Sequence, residues 1–382
     1  MAPNLKAQSP TLMSSPRNNK DDVASPDDAS PRHVESVDLR YALDPVGSGV
    51  DRTTCSKMTF SRTWLVHLAN DTAKIGQQGY YLNARGNKVN ITDALNYAKK
   101  NSVHYHCSRV FDTEALLDSS ETTTQPQLFD THYKVCYGSS LNIATALYQA
   151  HPNREFSIGI LNSASSKVPG GNHFRGTIAQ EDCICRASLL YPCLFQYVHK
   201  EHHFYLINNK PKYKIASSSC AIFSPRVPVI RHDTLRGEIL DEYYQFSFVS
   251  IPAPNAFVLG REDEECECDG GHNPQQGVPQ AQAPGAQERG ETYEHISLNA
   301  ALRDRCLRTL CIFAEQNMTE LVLCAFGCGV HGNRPKDVAA CFRDILNTEL
   351  KGRFRTVAFA ILSSRPMNYE AFCDAFPEAK RS

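Results

Sequence analysis

The chain holds a single tryptophan, Trp64, and no apolar run near the ~18 residues a membrane-spanning helix needs. Its first twenty residues, MAPNLKAQSPTLMSSPRNNK, lack the apolar core of a secretory leader, which points to an intracellular protein, cytoplasmic or nuclear. An excess of either charge is also missing. Forty Lys and Arg stand against 41 Asp and Glu, a formal net charge of −1. No global basic field is available to hold a nucleic-acid backbone, so an anionic ligand must be recognised locally. Cysteine, by contrast, is plentiful at 15, but the residues are scattered. Without a leader they read as reduced thiols rather than a disulfide framework. A length of 382 residues with 41% hydrophobic content is enough for one large core or two.

Residues 1–55 carry four Ser-Pro dipeptides among Asp, Asn and Ser, from Ser9-Pro10 to Ser30-Pro31, and read as a disordered tail. A second irregular stretch, 261–289, begins acidic and turns Gly/Pro/Gln/Ala-rich, the composition of an insertion hanging from a domain surface. Cys266, Cys268 and His272 within it are too weak a pattern for a metal site, and neither metal nor cofactor is expected. Between these stretches the elements alternate. Helices are expected over 139–150, 298–316 and 337–351. Strands are expected over 156–162, 221–223, 227–230, 246–251, 321–325 and 356–362. Such alternation predicts an α/β protein with helices on both faces of a sheet, whose ligands bind beyond the carboxyl ends of strands.

The segment from Leu161 to Tyr191, LNSASSKVPGGNHFRGTIAQEDCICRASLLY, concentrates the chemistry. A strand ends at Asn162, a small-residue turn leads to Pro169-Gly170-Gly171, and a helix opens near Gln180-Glu181-Asp182. Thr177 and Gln180 have the spacing of a capping box. Glycines let a backbone approach a phosphate, and a helix N-terminus offers unpaired N–H groups to anions. Two neighbouring carboxylates there suit general acid and base work. His173, Cys183 and Cys185 do not suggest a metal cluster, because Cys183 and Cys185 point to different sides of a helix. A second strand-loop-helix unit, Leu321 to Asn333, carries Phe326-Gly327-Cys328-Gly329-Val330-His331 and reads as a second phosphate loop.

These two blocks, with Phe246–Asn255 as a weaker third, resemble the microbial-type poly(ADP-ribose) glycohydrolases, a branch of the macrodomain superfamily. The resemblance runs from about Lys57 to about Phe376. It implies a three-layer α/β/α sandwich with a mixed central sheet and a helical N-terminal extension, forming a catalytic domain over 56–378, with a short tail at 379–382. It further implies binding of ADP-ribose or poly(ADP-ribose), free or on a protein, and hydrolysis of ADP-ribosyl O-glycosidic bonds. Gly170, Gly171, Asn172, Gln180, Phe326, Gly327, Cys328, Gly329 and Val330 would surround the ligand. Asn162 and His331 would meet the distal ribose.

Three departures from the family pattern stand out. Asn172 replaces a third glycine, His331 replaces an aromatic residue, and Asp182 replaces the second glutamate, the family's catalytic acid. The resemblance implies Asp182 as proton donor with Glu181 assisting. Aspartate is one methylene shorter, a shortfall of about 1 Å that can cost roughly 100-fold in rate. A protein that binds ADP-ribose without cutting it is the alternative this substitution raises.

Overall fold

The computed structural model describes residues 61–117, 128–199, 203–210, 213, 217–260, 297–362 and 365–381. The tail expected over 1–55 and the insertion expected over 261–289 lie outside these residues.

The described chain begins with α1 (Arg62–Gln78), a two-stranded hairpin of β1 (Tyr80–Leu82) and β2 (Lys88–Asn90), α2 (Thr92–Lys100) and β3 (Val103–Tyr105). After α3 (Thr113–Leu117) come β4 (His132–Tyr137), α4 (Ser140–Ala150) and β5 (Ile158–Ser163). Three short helices follow, α5 (Gln180–Ala187), α6 (Leu190–Phe195) and α7 (Phe204–Asn208). Two long strands, β6 (Ala221–Arg231) and β7 (Ile239–Ile251), lead to α8 (Ala256–Leu259). The last part is α9 (Leu298–Glu315), β8 (Glu320–Cys324), α10 (Pro335–Asn347), β9 (Thr356–Ile361) and α11 (Pro366–Ala375). None of the described helices is long and apolar enough to cross a membrane.

Seven strands form one mixed sheet in the order β3-β6-β7-β5-β8-β9-β4. β7, β5, β8, β9 and β4 run parallel, while β6 is antiparallel to both neighbours. Alternation within strands decides which helix layer each side chain meets. Ile158, Ile160, Val322, Ala358 and Ala360 join the core that includes α4, α5 and α6. Leu161, Leu321, Leu323, Val357 and Phe359 join the opposite core with Phe313 of α9 and Phe342 of α10. The result is an α/β/α sandwich of the macrodomain kind.

Two expectations change in detail. The strands expected over 221–223 and 227–230 are one strand, β6, carrying an irregularity between Ser224 and Val227 where Arg226 adopts φ 48°. The Ser-Pro-Arg sequence there looks like a break, but a bulge absorbs it while the ladder continues. The N-terminal extension is also not all helical. It holds the β1–β2 hairpin, and its β3 supplies the edge strand of the main sheet.

α1 is tied to the core rather than standing alone. Ser61 caps it by accepting from the Trp64 N–H at 3.2 Å, and Gly79 ends it in the left-handed region. Thr72 donates to the carbonyl of Arg186 in α5 at 2.6 Å, and Arg231 at the end of β6 donates to Thr72 Oγ1 at 3.0 Å and pairs with Asp71. Leu65 and Leu68 of α1 thereby form part of the wall of the cleft described next.

Candidate active site

β5 and β8 are adjacent and parallel, so the loops that follow them emerge at the same edge of the sheet. Between these loops lies a cleft of about 760 Å³. Gly171, Asn172, Gln180, Glu181 and Asp182 line it from one side, and Gly327, Gly329, Val330 and His331 from the other. Two segments from opposite halves of the chain thus share one site.

α5 starts two residues later than its sequence suggests, with Ala179 at the N-cap. The side chain that reaches back is Asp182, whose Oδ2 accepts from the Ala179 N–H at 3.0 Å, and not Gln180. The Thr177 hydroxyl also donates to Asp182 Oδ2, at 2.5 Å. Gln180 instead bridges to β5. Its Oε1 accepts from the Ser163 N–H at 2.8 Å, and its Nε2 donates to the Leu161 carbonyl at 2.9 Å and to Ser140 Oγ at 2.8 Å. The end of a strand leaves backbone groups unpaired, and a carboxamide can satisfy a donor and an acceptor together.

The two acids have different surroundings. Asp182 Oδ1 accepts from the Asn172 N–H at 2.7 Å, so three donors hold its two oxygens. Glu181 is only 3% exposed. Its Oε2 accepts from the Ser165 N–H at 2.7 Å, and its Oε1 has a long 3.4 Å contact with Asn162 Nδ2. Burial pushes the Glu181 carboxyl up to about 8, helped by the neighbouring Asp182 charge and opposed by hydrogen bonds from Ser165, Asn162 and Gly170. Glu181 is therefore protonated at neutral pH.

The first glycine loop turns its amides toward these acids. Gly170 and Gly171 have φ of 69° and 60°, which only glycine adopts without strain. A Cβ on Gly171 would lie 2.7 Å from Asp182 Oδ1. Asn172 has φ −109°, a conformation open to any residue. That explains why this loop closes without a third glycine. Beneath the loop, the His173 ring meets the Gly170 carbonyl at 2.7 Å, and burial lowers its pKa.

The second loop is different. Its fold uses the Cys328 and Asn333 N–H groups internally. Among the described residues, nothing accepts from the N–H groups of Gly329, Val330 or His331. Three free amides at the rim of a cleft form a concavity suited to an anion. Gly327 has φ 71°, and a Cβ there would lie 2.3 Å from Asn333 Nδ2, so the turn requires glycine. Phe326 and Cys328 point into the core and not toward the cleft. His331 lines the cleft with its pKa lowered by burial, and its Nδ1 has no partner among the described residues.

Asn162 occupies a different place from the ribose contact implied for it. It is fully buried behind Glu181, donating to Ser250 Oγ at 3.0 Å, and does not line the cleft. The structure also brings in residues that sequence reading passed over. Ser165 supplies the amide on Glu181, from within a Ser-Ala-Ser-Ser run that looks like plain loop. Arg186, four residues after Asp182 on α5, fastens the Thr177 carbonyl. Asp233 lines the cleft with its carboxyl raised by burial, against the pull of Ser139 and Arg186.

A buried acid and three amides without partners among the described residues thus line one cleft at the carboxyl ends of parallel strands, an arrangement suited to an anionic ligand. Residues 69–232 match the family model described as microbial-type PARG, catalytic domain. The structure of poly(ADP-ribose) glycohydrolase from Thermomonospora curvata bound to the inhibitor ADP-HPD is 28% identical, with a TM-score of 0.62 over 82% of this chain and 99% of that one. The structure of the Deinococcus radiodurans enzyme in complex with ADP-ribose is 27% identical, with a TM-score of 0.55 over 74% of this chain and 97% of that one. No curated protein matches the chain.

Proposed function

We propose that this protein hydrolyses ADP-ribosyl O-glycosidic bonds, in poly(ADP-ribose) or in ADP-ribose carried by a macromolecule, with Glu181 as the proton donor. The observation that carries this reading is the Glu181 carboxyl, 3% exposed in the wall of the cleft, where burial favours its protonated form. In this reading the ligand's diphosphate rests on the Gly329, Val330 and His331 amides, where paired charge costs little to desolvate. Ser165 and Asn162 hold the Glu181 carboxyl in the wall of the cleft, from which its proton passes to the leaving oxygen. The bond from the anomeric carbon to that oxygen breaks as the proton transfers, and the nearby diphosphate stabilises the positive charge left on the ribosyl ring. The ionised Glu181 then takes a proton from the water that adds to the anomeric carbon, which restores the acid. Asn162 is a positioning residue behind Glu181.

Asp182 has another task here. As the cap of α5 and the anchor of the Asn172 amide, it holds the glycine loop against the acid. An aspartate serves that purpose, so its presence does not argue for a protein that only binds. The test is release of ADP-ribose from labelled polymer together with calorimetric binding of ADP-ribose. Glu181→Gln is expected to lose about 100-fold or more in release while keeping ADP-ribose affinity. Asp182→Asn is expected to lower thermal stability and retain measurable release. If Asp182→Asn abolishes release at full stability while Glu181→Gln stays active, the assignment of the acid fails. Absence of ADP-ribose binding by the wild type would sink the function itself.

A further inference from the structure

We propose that His106, Cys107 and Cys220 form a binding site for a thiophilic divalent cation of the zinc class. One ligand atom from each of the three lies within 4.8 Å of the other two. None of these residues lines the cleft, and the proposal is independent of the hydrolase reading. The sequence conceals the site, because Cys220 stands far along the chain from the adjacent pair.

The sheet brings them together. β3 pairs antiparallel with β6, Tyr105 opposite Ala221, so the ladder delivers the residues just past each strand to the same corner. The Cys107 N–H donates to Cys220 Sγ at 3.2 Å, the kind of backbone contact that favours a thiolate. Cys107 Sγ lies 3.9 Å from His106 Nδ1 and 3.4 Å from the Tyr213 hydroxyl. The 3.9 Å between Cys107 Sγ and His106 Nδ1 is close to the edge of a tetrahedron with metal–sulfur bonds of about 2.3 Å and metal–nitrogen bonds of about 2.0–2.1 Å, and Cys220 lies within 4.8 Å of both.

The turn bearing the ligands is held from behind. Arg308 of α9 donates to the carbonyls of Cys107 at 3.0 Å, Arg109 at 3.1 Å and His106 at 3.4 Å. Outer contacts of this sort fix ligand orientation before a metal arrives. Two thiolates and a divalent cation sum to zero charge, which suits a site with Cys220 fully buried and His106 exposed. His106 Nδ1 meets Ser108 N–H at 3.1 Å and Ser108 Oγ at 2.7 Å. Coordination through that nitrogen exchanges these contacts for a metal bond. The Tyr213 hydroxyl is a further oxygen beside Cys107 Sγ, and the ring of His104, whose Nε2 has no partner among the described residues, is 6.2 Å from that of His106. Occupation would pin the edge strand β3 and the turn after it to the start of β6.

Cobalt(II) alone is the probe, added to the reduced, chelator-treated full chain. The expected result is one ion bound per chain, with thiolate-to-cobalt charge-transfer absorption that an equimolar amount of zinc displaces. His106→Ala and Cys107→Ser alter positions that are not deeply buried, and both are expected to weaken cobalt binding by about tenfold or more. Cys136→Ser, at a separate half-buried thiol, should leave the spectrum unchanged. No charge-transfer band at one equivalent, or a band that His106→Ala and Cys107→Ser leave intact, overturns the site. A chain that binds cobalt here yet fails to bind ADP-ribose would refute the proposed function and leave this inference standing.

Discussion

Gly170, Gly171 and Asn172 show how single positions divide the work of the first loop. Two left-handed residues turn the chain sharply, and the third uses ordinary backbone to deliver its amide to Asp182. Gly171→Ala is expected to lower both stability and release, since its Cβ would meet the carboxylate at 2.7 Å and its φ of 60° carries strain of about 1–2 kcal/mol. Asn172→Gly should leave release unchanged and cost at most about 1 kcal/mol in unfolding experiments. The protonation of Glu181 sets a further expectation. Because the reaction needs the protonated form, kcat/KM should fall about tenfold per pH unit above about pH 8. A flat profile through pH 9 would remove Glu181 from the role of acid. The sequence displayed the glycines and both acids, but not their separate duties. Those depend on Ser165 and Asn172 amides, whose direction no side-chain pattern records.

Most elements of the sheet and its helices are readable as runs. The stretch at 298–316 is α9 to within a residue, and 356–362 is β9. The exceptions have physical causes. β3 is three residues long and gains its order from pairing with β6 rather than from its own composition. β6 continues through Pro225 and Arg226 because the bulge is held by the Arg226 N–H on Ser247 Oγ at 3.2 Å and by the Arg226 guanidinium 4.0 Å over the Phe156 ring. Charge at an element's start is equally invisible in the sequence. Glu320 opens β8 fully buried, and Arg154, in the turn before β5, pairs with it at 2.7 Å. Arg154→Ala would leave an uncompensated buried carboxylate between two central strands. A loss of about 3–5 kcal/mol is expected by urea unfolding, whereas an exposed pair would show about 1 kcal/mol or less.

For the molecule as a whole, the buried acid links catalysis to global stability. Folded Glu181 holds its proton to about pH 8, while the unfolded chain releases it near 4.5. The folded state therefore binds more protons across that window, and its stability falls as pH rises through it, by up to about 1.4 kcal/mol per unit. Above about pH 8 this contribution is fully lost. Glu181→Gln should remove that slope, so the difference in unfolding free energy between wild type and variant should change from pH 5 to pH 8 and level off beyond. Equal slopes would show that the carboxyl is not shifted. That both glycine loops follow the carboxyl ends of strands was legible in the sequence, but that those strands, β5 and β8, are neighbours was not. The asymmetry between them, with one loop holding acids and the other left open, was not.

The register of β5 against β8, Ile160 opposite Val322, also bears on how the protein comes into being. During synthesis the acids emerge long before the loop of free amides. A nascent chain that ends before β8 has a capped α5 and a glycine loop but nothing opposite them. Closing that distance is a non-local event, slow relative to forming α5 or the β6–β7 hairpin. A ligand that needs both loops can thus be held only once the second has folded, and a fragment cut between them keeps Glu181 without the amides of the second loop.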